Sequence, residues 1–162
     1  MKASHAFAAL IIYLGSACGA LAVTTVNCTA SASGIAFGIY NPLNAVADAS
    51  TGTLRVTCNG SGTGSANVTL TVTLSTGLSG SYATRKMFSG ANALNYNIYW
   101  SAAYNQIVGD GTGGSFGGTA GPFPVPAGGS NTATGTLYGL VPASQDVVPG
   151  AYSDVITVTV TY

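Results

Sequence analysis

Ala151-Tyr-Ser-Asp-Val-Ile-Thr-Val-Thr-Val-Thr-Tyr162 carries the clearest structural signal in the chain. Val155, Thr157, Thr159 and Thr161 fall on one side of an extended strand, and Ile156, Val158, Val160 and Tyr162 fall on the other. That is a period of two written in β-branched and aromatic residues, and it runs to the last residue. A strand with one apolar face has to be paired, because a bare one recruits other chains. The segment is therefore expected to be a contact element, within its own sheet or with a partner.

The same alternation recurs upstream. Val68, Leu70, Val72 and Leu74 alternate with Thr69, Thr71 and Thr73, and Leu94, Tyr96, Ile98 and Trp100 share one face. Gly52–Cys58 sets Leu54, Val56 and Cys58 together. Val23–Cys28, Ile35–Tyr40 and Thr134–Leu140 bring the expectation to about seven strands. Asn59–Ser65, Gly109–Gly118 and Gly121–Ser130 read as loops, being rich in Gly, Ser and Pro. With 23 glycines in 162 residues, no window long enough for a helix escapes breakers. The fold class is all-β, an antiparallel β-sandwich.

The front of the chain reads differently. After Met1-Lys2 comes an uncharged apolar stretch, Ala3–Ala22, ending in Ala20-Leu21-Ala22. One early positive charge, an apolar centre and small residues at the end describe a secretory signal peptide over residues 1–22, with a single domain over 23–162. A membrane anchor and a lipoprotein with Cys18 lipidated are the alternatives. Gly15, Ser16 and Gly19 dilute the apolar end of an anchor, and Gly15 stands where a lipoprotein has a bulky aliphatic. No membrane span remains after cleavage.

Cleavage after Ala22 removes His5 and Cys18 and leaves Arg55, Arg85 and Lys86 against Asp48, Asp110, Asp146 and Asp154, with no Glu. No basic stripe exists, so nucleic acid is not an expected partner. So few charges suit a protein packed against copies or partners. Cys28 and Cys58 form an even pair in an exported chain and read as one disulfide; two thiols without His or Glu do not complete a metal shell. Catalysis is not expected, because general acid–base chemistry usually draws on His or Glu. No cofactor is expected. Asp110-Gly-Thr-Gly113 reads as a tight turn rather than a calcium loop, and Arg85-Lys86 as a solvated loop face.

The ordered motifs of the mature chain resemble the spore coat protein U family, which includes subunits of archaic (Csu-type) chaperone–usher pili. The matching residues are Cys28-Thr29, Phe37-Gly38, Tyr40-Asn41-Pro42, Gly52-x-Leu-x-Val-x-Cys58, Leu94-Asn-Tyr-Asn-Ile-Tyr99 and Gly109-Asp-Gly-Thr-Gly113. Gly135-Thr-Leu-Tyr-Gly139, Pro142 and Pro149-Gly-Ala-Tyr-Ser-Asp154 follow. The resemblance implies an incomplete immunoglobulin-like sandwich whose missing strand a partner supplies. It implies a periplasmic chaperone, an outer-membrane usher and neighbouring pilus or coat subunits as partners, with export to the cell surface. It also implies that Ile156, Val158, Val160 and Tyr162 form the edge that the chaperone pairs with.

The resemblance implies that polymerising members carry a donor segment ahead of the first cysteine. Here Val23–Asn27 is all that cleavage after Ala22 leaves there, a reach of roughly 17 Å at about 3.3 Å per residue. The chain is therefore expected to accept a strand and donate poorly, as a tip, adaptor or coat protein rather than a shaft subunit. The alternative from another class is a secreted carbohydrate-binding module. Tyr99, Trp100 and Tyr104 would be its ligand contacts, although Tyr96 and Trp100 share the core-facing side of their strand.

Overall fold

The period-two segments pair into two antiparallel sheets that face one another. The computed structural model describes residues 23–162, so the segment read as a signal peptide, with Cys18, lies outside the described residues. Among the described residues there are eight strands: β1 (Thr24–Ala32), β2 (Asp48–Gly62), β3 (Ser65–Leu74), β4 (Arg85–Ser89), β5 (Asn92–Tyr99), β6 (Gly118–Pro126), β7 (Ser130–Val141) and β8 (Val158–Thr161). One sheet runs β1-β2-β7-β5-β4 and the other β6-β3-β8. This is an immunoglobulin-like sandwich that stops short of a full second sheet.

Alternation places one face of each strand inside. Leu54, Val56 and Cys58 of β2 meet Val68, Leu70, Val72 and Leu74 of β3, with Leu94, Tyr96 and Ile98 of β5, Val125 of β6 and Leu137 of β7. The threonines between them face water. Cys28 stands directly opposite Cys58 in the β1–β2 ladder, and the two are bonded with Cα atoms 4.0 Å apart. With a sequence separation of 30 residues, the crosslink contributes about 3–4 kcal/mol on the chain-entropy estimate. Replacing both cysteines by serine is expected to lower the unfolding free energy by about that amount in a urea titration. A change under about 1 kcal/mol would mean that the reduced chain keeps this hairpin closed when unfolded.

Four expectations need correction. Asn59–Ser65 is no loop over its first four residues, because β2 runs to Gly62. Ile35–Tyr40 belongs to no ladder. It is tethered on the β2 side, where Ser33 N donates to Thr53 O and the Ser50 hydroxyl donates to Ala36 O, and no strand lies on its other side among the described residues. Gly121–Ser130 is no loop over its first half, because Gly118–Pro126 forms β6 against β3. Prolines are tolerated there because β6 is an edge strand, where half of the N–H groups face away from the sheet. Arg85 and Lys86 open β4 rather than a solvated loop, and Arg85 is 0 % exposed. The turn at Asp110 is as expected: its Oδ1 accepts from the Thr112 N–H and, at 2.6 Å, from the Thr112 hydroxyl. These bonds hold the Asp110 carboxyl below the usual carboxylate range.

Candidate functional site

The two free edges of the smaller sheet differ chemically. β6 carries Pro124 and Pro126 at alternate positions, with Pro122 at the register shift just before them. Alternate residues present their backbone groups to one edge, and proline has no N–H to offer. That edge is therefore blunted against further strands. β8, at the opposite edge, holds neither proline nor charge in Val158–Thr161. Thr157 N donates to Ser75 Oγ at 3.0 Å, and its carbonyl accepts from Ser75 N at 2.9 Å. Thr157 thus spends its main-chain groups on Ser75, just past the end of β3. The alternation turns those of Ile156, Val158 and Val160 to the open side.

Beside that edge lies a long apolar groove. One wall is Ile35–Tyr40 and the other is Val147–Val158. Its floor is Leu74, Met87, Leu94, Tyr96, Ile98 and Leu137. The groove consists of two adjoining hollows, of about 580 Å³ and about 410 Å³, that share Ile35, Phe37, Met87 and Tyr152. Ile156, Val158 and Val160 turn half-buried side chains inwards, whereas Tyr162 remains 55 % exposed.

Small residues open the lane along the first wall. A Cβ on Gly52 would come within 2.8 Å of Ile35, and one on Gly139 within 2.6 Å of Phe37 and 2.7 Å of Ile35. Both glycines thus let Ile35 and Phe37 lie flat on the five-stranded sheet. Phe37 then meets Tyr96 edge-on at 6.0 Å between ring centres.

Hydrogen bonds fix both walls. The Tyr40 hydroxyl donates to Pro142 O at 2.9 Å and accepts from Gln145 N at 2.8 Å. Gln145 clips the Asn95 backbone through Oε1 and Nε2, at 2.8 and 2.9 Å. On the second wall, Asp154 Oδ2 accepts from the Tyr96 hydroxyl at 2.7 Å, and Oδ1 accepts from Leu78 N and Val155 N at 2.9 and 2.8 Å. Burial, then the bond to Asp154, pushes the Tyr96 phenol far above its ordinary pKa, so it stays a donor. Ser153 exchanges two backbone bonds with Phe88, at 2.8 and 3.0 Å. The second wall therefore starts on the edge of β4 and ends on the edge of β3.

The sequence named the β8 side of this groove and missed the rest. Tyr40-Asn-Pro and Tyr-Ser-Asp154 stood among the family motifs without a role. Their roles are to pin the two walls. Of the aromatic trio, Tyr99 and Tyr104 stand edge-on with centres 5.4 Å apart. Trp100 parts from them: its indole N–H donates to Phe116 O at 2.9 Å, and its ring fills the space a Gly118 Cβ would need. Among the described residues, no three His, Cys, Asp or Glu side chains cluster to hold a metal ion. Among the same residues, no helix is long and apolar enough to cross a membrane.

Comparison with known proteins follows the same lines. A chain in a solved structure from Acinetobacter baumannii shares the fold. That structure is a chaperone–tip adhesion subunit pre-assembly complex of archaic chaperone–usher Csu pili. The match has a TM-score of 0.56 and 18% identity, and covers 85% of this chain but only 40% of that one. No curated protein matches the sequence. The Spore Coat Protein U domain matches residues 16–159, from ahead of β1 into β8. On that match the chain belongs to the spore coat protein U domain family.

Proposed function

We propose that this chain is a structural subunit of a bacterial surface fibre or coat, completed by a strand that a partner lends to its groove. The observation that carries the reading is the apolar groove between Ile35–Tyr40 and Val147–Val158, beside the open backbone of β8. An extended segment laid there would bond with the main chain of Ile156, Val158 and Val160 and set alternate side chains on the floor. Residues 1–22 would direct export. A periplasmic chaperone would lend the strand first, and a neighbouring subunit would replace it at an outer-membrane usher.

Position in the assembly is part of the proposal. β1 already commits Thr24–Ala32 to the chain's own sheet. A donor segment would have to come from residues ahead of Thr24, and cleavage after Ala22 would leave almost none. This favours a tip, adaptor or coat position over the shaft. N-terminal sequencing of the exported protein tests it, with Val23 as the expected first residue. A start at or before Cys18 would count against the accept-only reading.

The groove reading has its own test in amide hydrogen exchange. Ile156, Val158 and Val160 should exchange fast in the isolated exported chain and be protected once it is purified with its periplasmic chaperone. Equal protection in both samples, with the isolated chain monomeric, would sink the reading.

A further inference from the structure

A third hollow, of about 380 Å³, lies on the outer face of the five-stranded sheet. Lys86 stands opposite Asn95 in the β4–β5 ladder, and Tyr99 stands opposite Tyr138 of β7. Directly opposed residues share a face, and Lys86, Asn95 and Tyr99 alternate with the inward Arg85, Tyr96 and Ile98. Ala83, Thr84, Tyr96, Asn97, Leu140 and Pro142 complete the lining.

Tyr104 extends the aromatic surface against Tyr99. It does so from a left-handed backbone, φ 51°, a conformation that costs a non-glycine residue free energy. The Ser101–Tyr104 turn holds it, with Tyr104 N donating to Ser101 O at 3.1 Å. Burial raises the pKa of the Tyr99 phenol, so the ring is neutral at ordinary pH.

The chemistry of the lining is selective. The size suits one or two sugar rings. Phenol faces accept the C–H face of a pyranose, while a threonine hydroxyl and an asparagine amide can bond its hydroxyls. The one charge in the lining is the Lys86 ammonium, and no carboxylate lines the hollow. A ligand bearing a negative charge is therefore favoured over its neutral counterpart.

We propose that this hollow binds a pyranose that carries a carboxylate, with Tyr99 against the ring and Lys86 facing the carboxylate. The source is a uronic acid of a polysaccharide or a terminal sialic acid. The proposal stands apart from the groove reading, because the two sites lie on opposite faces of the same sheet.

Titration of the exported chain, purified with its chaperone where it needs one, tests this by backbone NMR shifts. The probes are trigalacturonate and 3′-sialyllactose, with maltotriose and lactose as neutral comparators. Saturable shifts confined to Thr84–Lys86, Asn95–Tyr104 and Tyr138–Pro142 are expected with at least one acidic sugar, weakening as salt rises. Tyr99→Ala should weaken binding about tenfold. Lys86→Gln should erase the preference of about fivefold for acid over neutral sugar, and it keeps the proposal testable if the tyrosine variant fails to fold. No shifts up to about 10 mM of either acidic sugar, equal binding of the neutral ones, or shifts elsewhere on the domain would each overturn it.

Discussion

A variant with an extra strand behind Tyr162, entered through a short Asp-Gly turn, should melt at least about 10 °C above an out-of-phase twin. The strand alternates valine and threonine. In the first variant the valines face the groove floor, and in its twin the pattern is slid by one residue. Both have the same length, turn and composition, so the entropy of ordering the strand nearly cancels between them. A slip of one residue turns every side chain to the other face. Four valines over Leu74, Ile98, Leu137 and Leu94 then differ from four threonines by about 1.5–3 kcal/mol per valine at most. For a domain of this size each kcal/mol moves Tm by about 3–4 °C. Thermal unfolding followed by circular dichroism reads the gap. Equal Tm values in the two phases would show that the groove does not take a strand beside β8.

The sequence made the alternating strands legible because their pattern is local. β2, β3 and β5 announce themselves through apolar residues at every second position, while β7 shows Leu137 and Val141 on its buried side with Gly139 between them. Ile35–Tyr40 carries a similar pattern and yet pairs with nothing on its groove side. Alternation reports which face is apolar and not whether a neighbour is present to complete the ladder. β6 was hidden for the opposite reason. Gly121, Pro122, Pro124 and Pro126 spell a loop unless one knows that the strand lies at an edge, and edge position is set by the whole topology.

The groove walls show the same limit. Gly52 and Gly139 are separated by most of the domain in sequence, and each is needed because Ile35 crosses over both and Phe37 over Gly139. Tyr40 reaches Pro142 and Gln145, over a hundred residues away. Such long-range contacts leave motifs in the sequence but not their meaning. The Tyr99–Tyr104 pair was legible as an aromatic cluster, while Tyr138 joined it only through the β5–β7 register.

Arg85 is the residue whose environment the sequence disguised most, and its replacement by methionine should cost about 3–5 kcal/mol. The guanidinium is fully buried and gives Nη1 to Asn97 Oδ1 at 2.9 Å and Nη2 to Ser75 O and Val108 O at 2.8 and 2.7 Å. It also lies 5.1 Å from the centre of the Tyr82 ring. Burial lowers its pKa, yet arginine remains charged at any pH the fold survives. Its bonded acceptors are all neutral oxygens, so the charge is dispersed over dipoles rather than paired with a carboxylate.

Methionine would fill much of the volume but orphan two backbone carbonyls in the interior, at about 1–3 kcal/mol each. Lysine keeps the charge on a single nitrogen and cannot span three acceptors set around a fork, so Arg85→Lys should fall between methionine and the parent. Arg55→Met, on an exposed side chain of β2, is the control and should stay within about 0.5 kcal/mol. The loss should also reach the groove. Ser75, whose carbonyl Arg85 holds, is the residue on which Thr157 docks through two bonds. Freed from Arg85, that contact should loosen, and the amides of Thr157 and Thr159, which face β3, should exchange faster than in the parent even where the domain remains folded. Urea titration with hydrogen exchange on the disulfide-intact protein measures both effects. If Arg85→Met proved no more harmful than Arg55→Met, the buried cation would be a passive filler, and β8 would be held by its ladder with β3 and the Ser153 and Asp154 contacts without it.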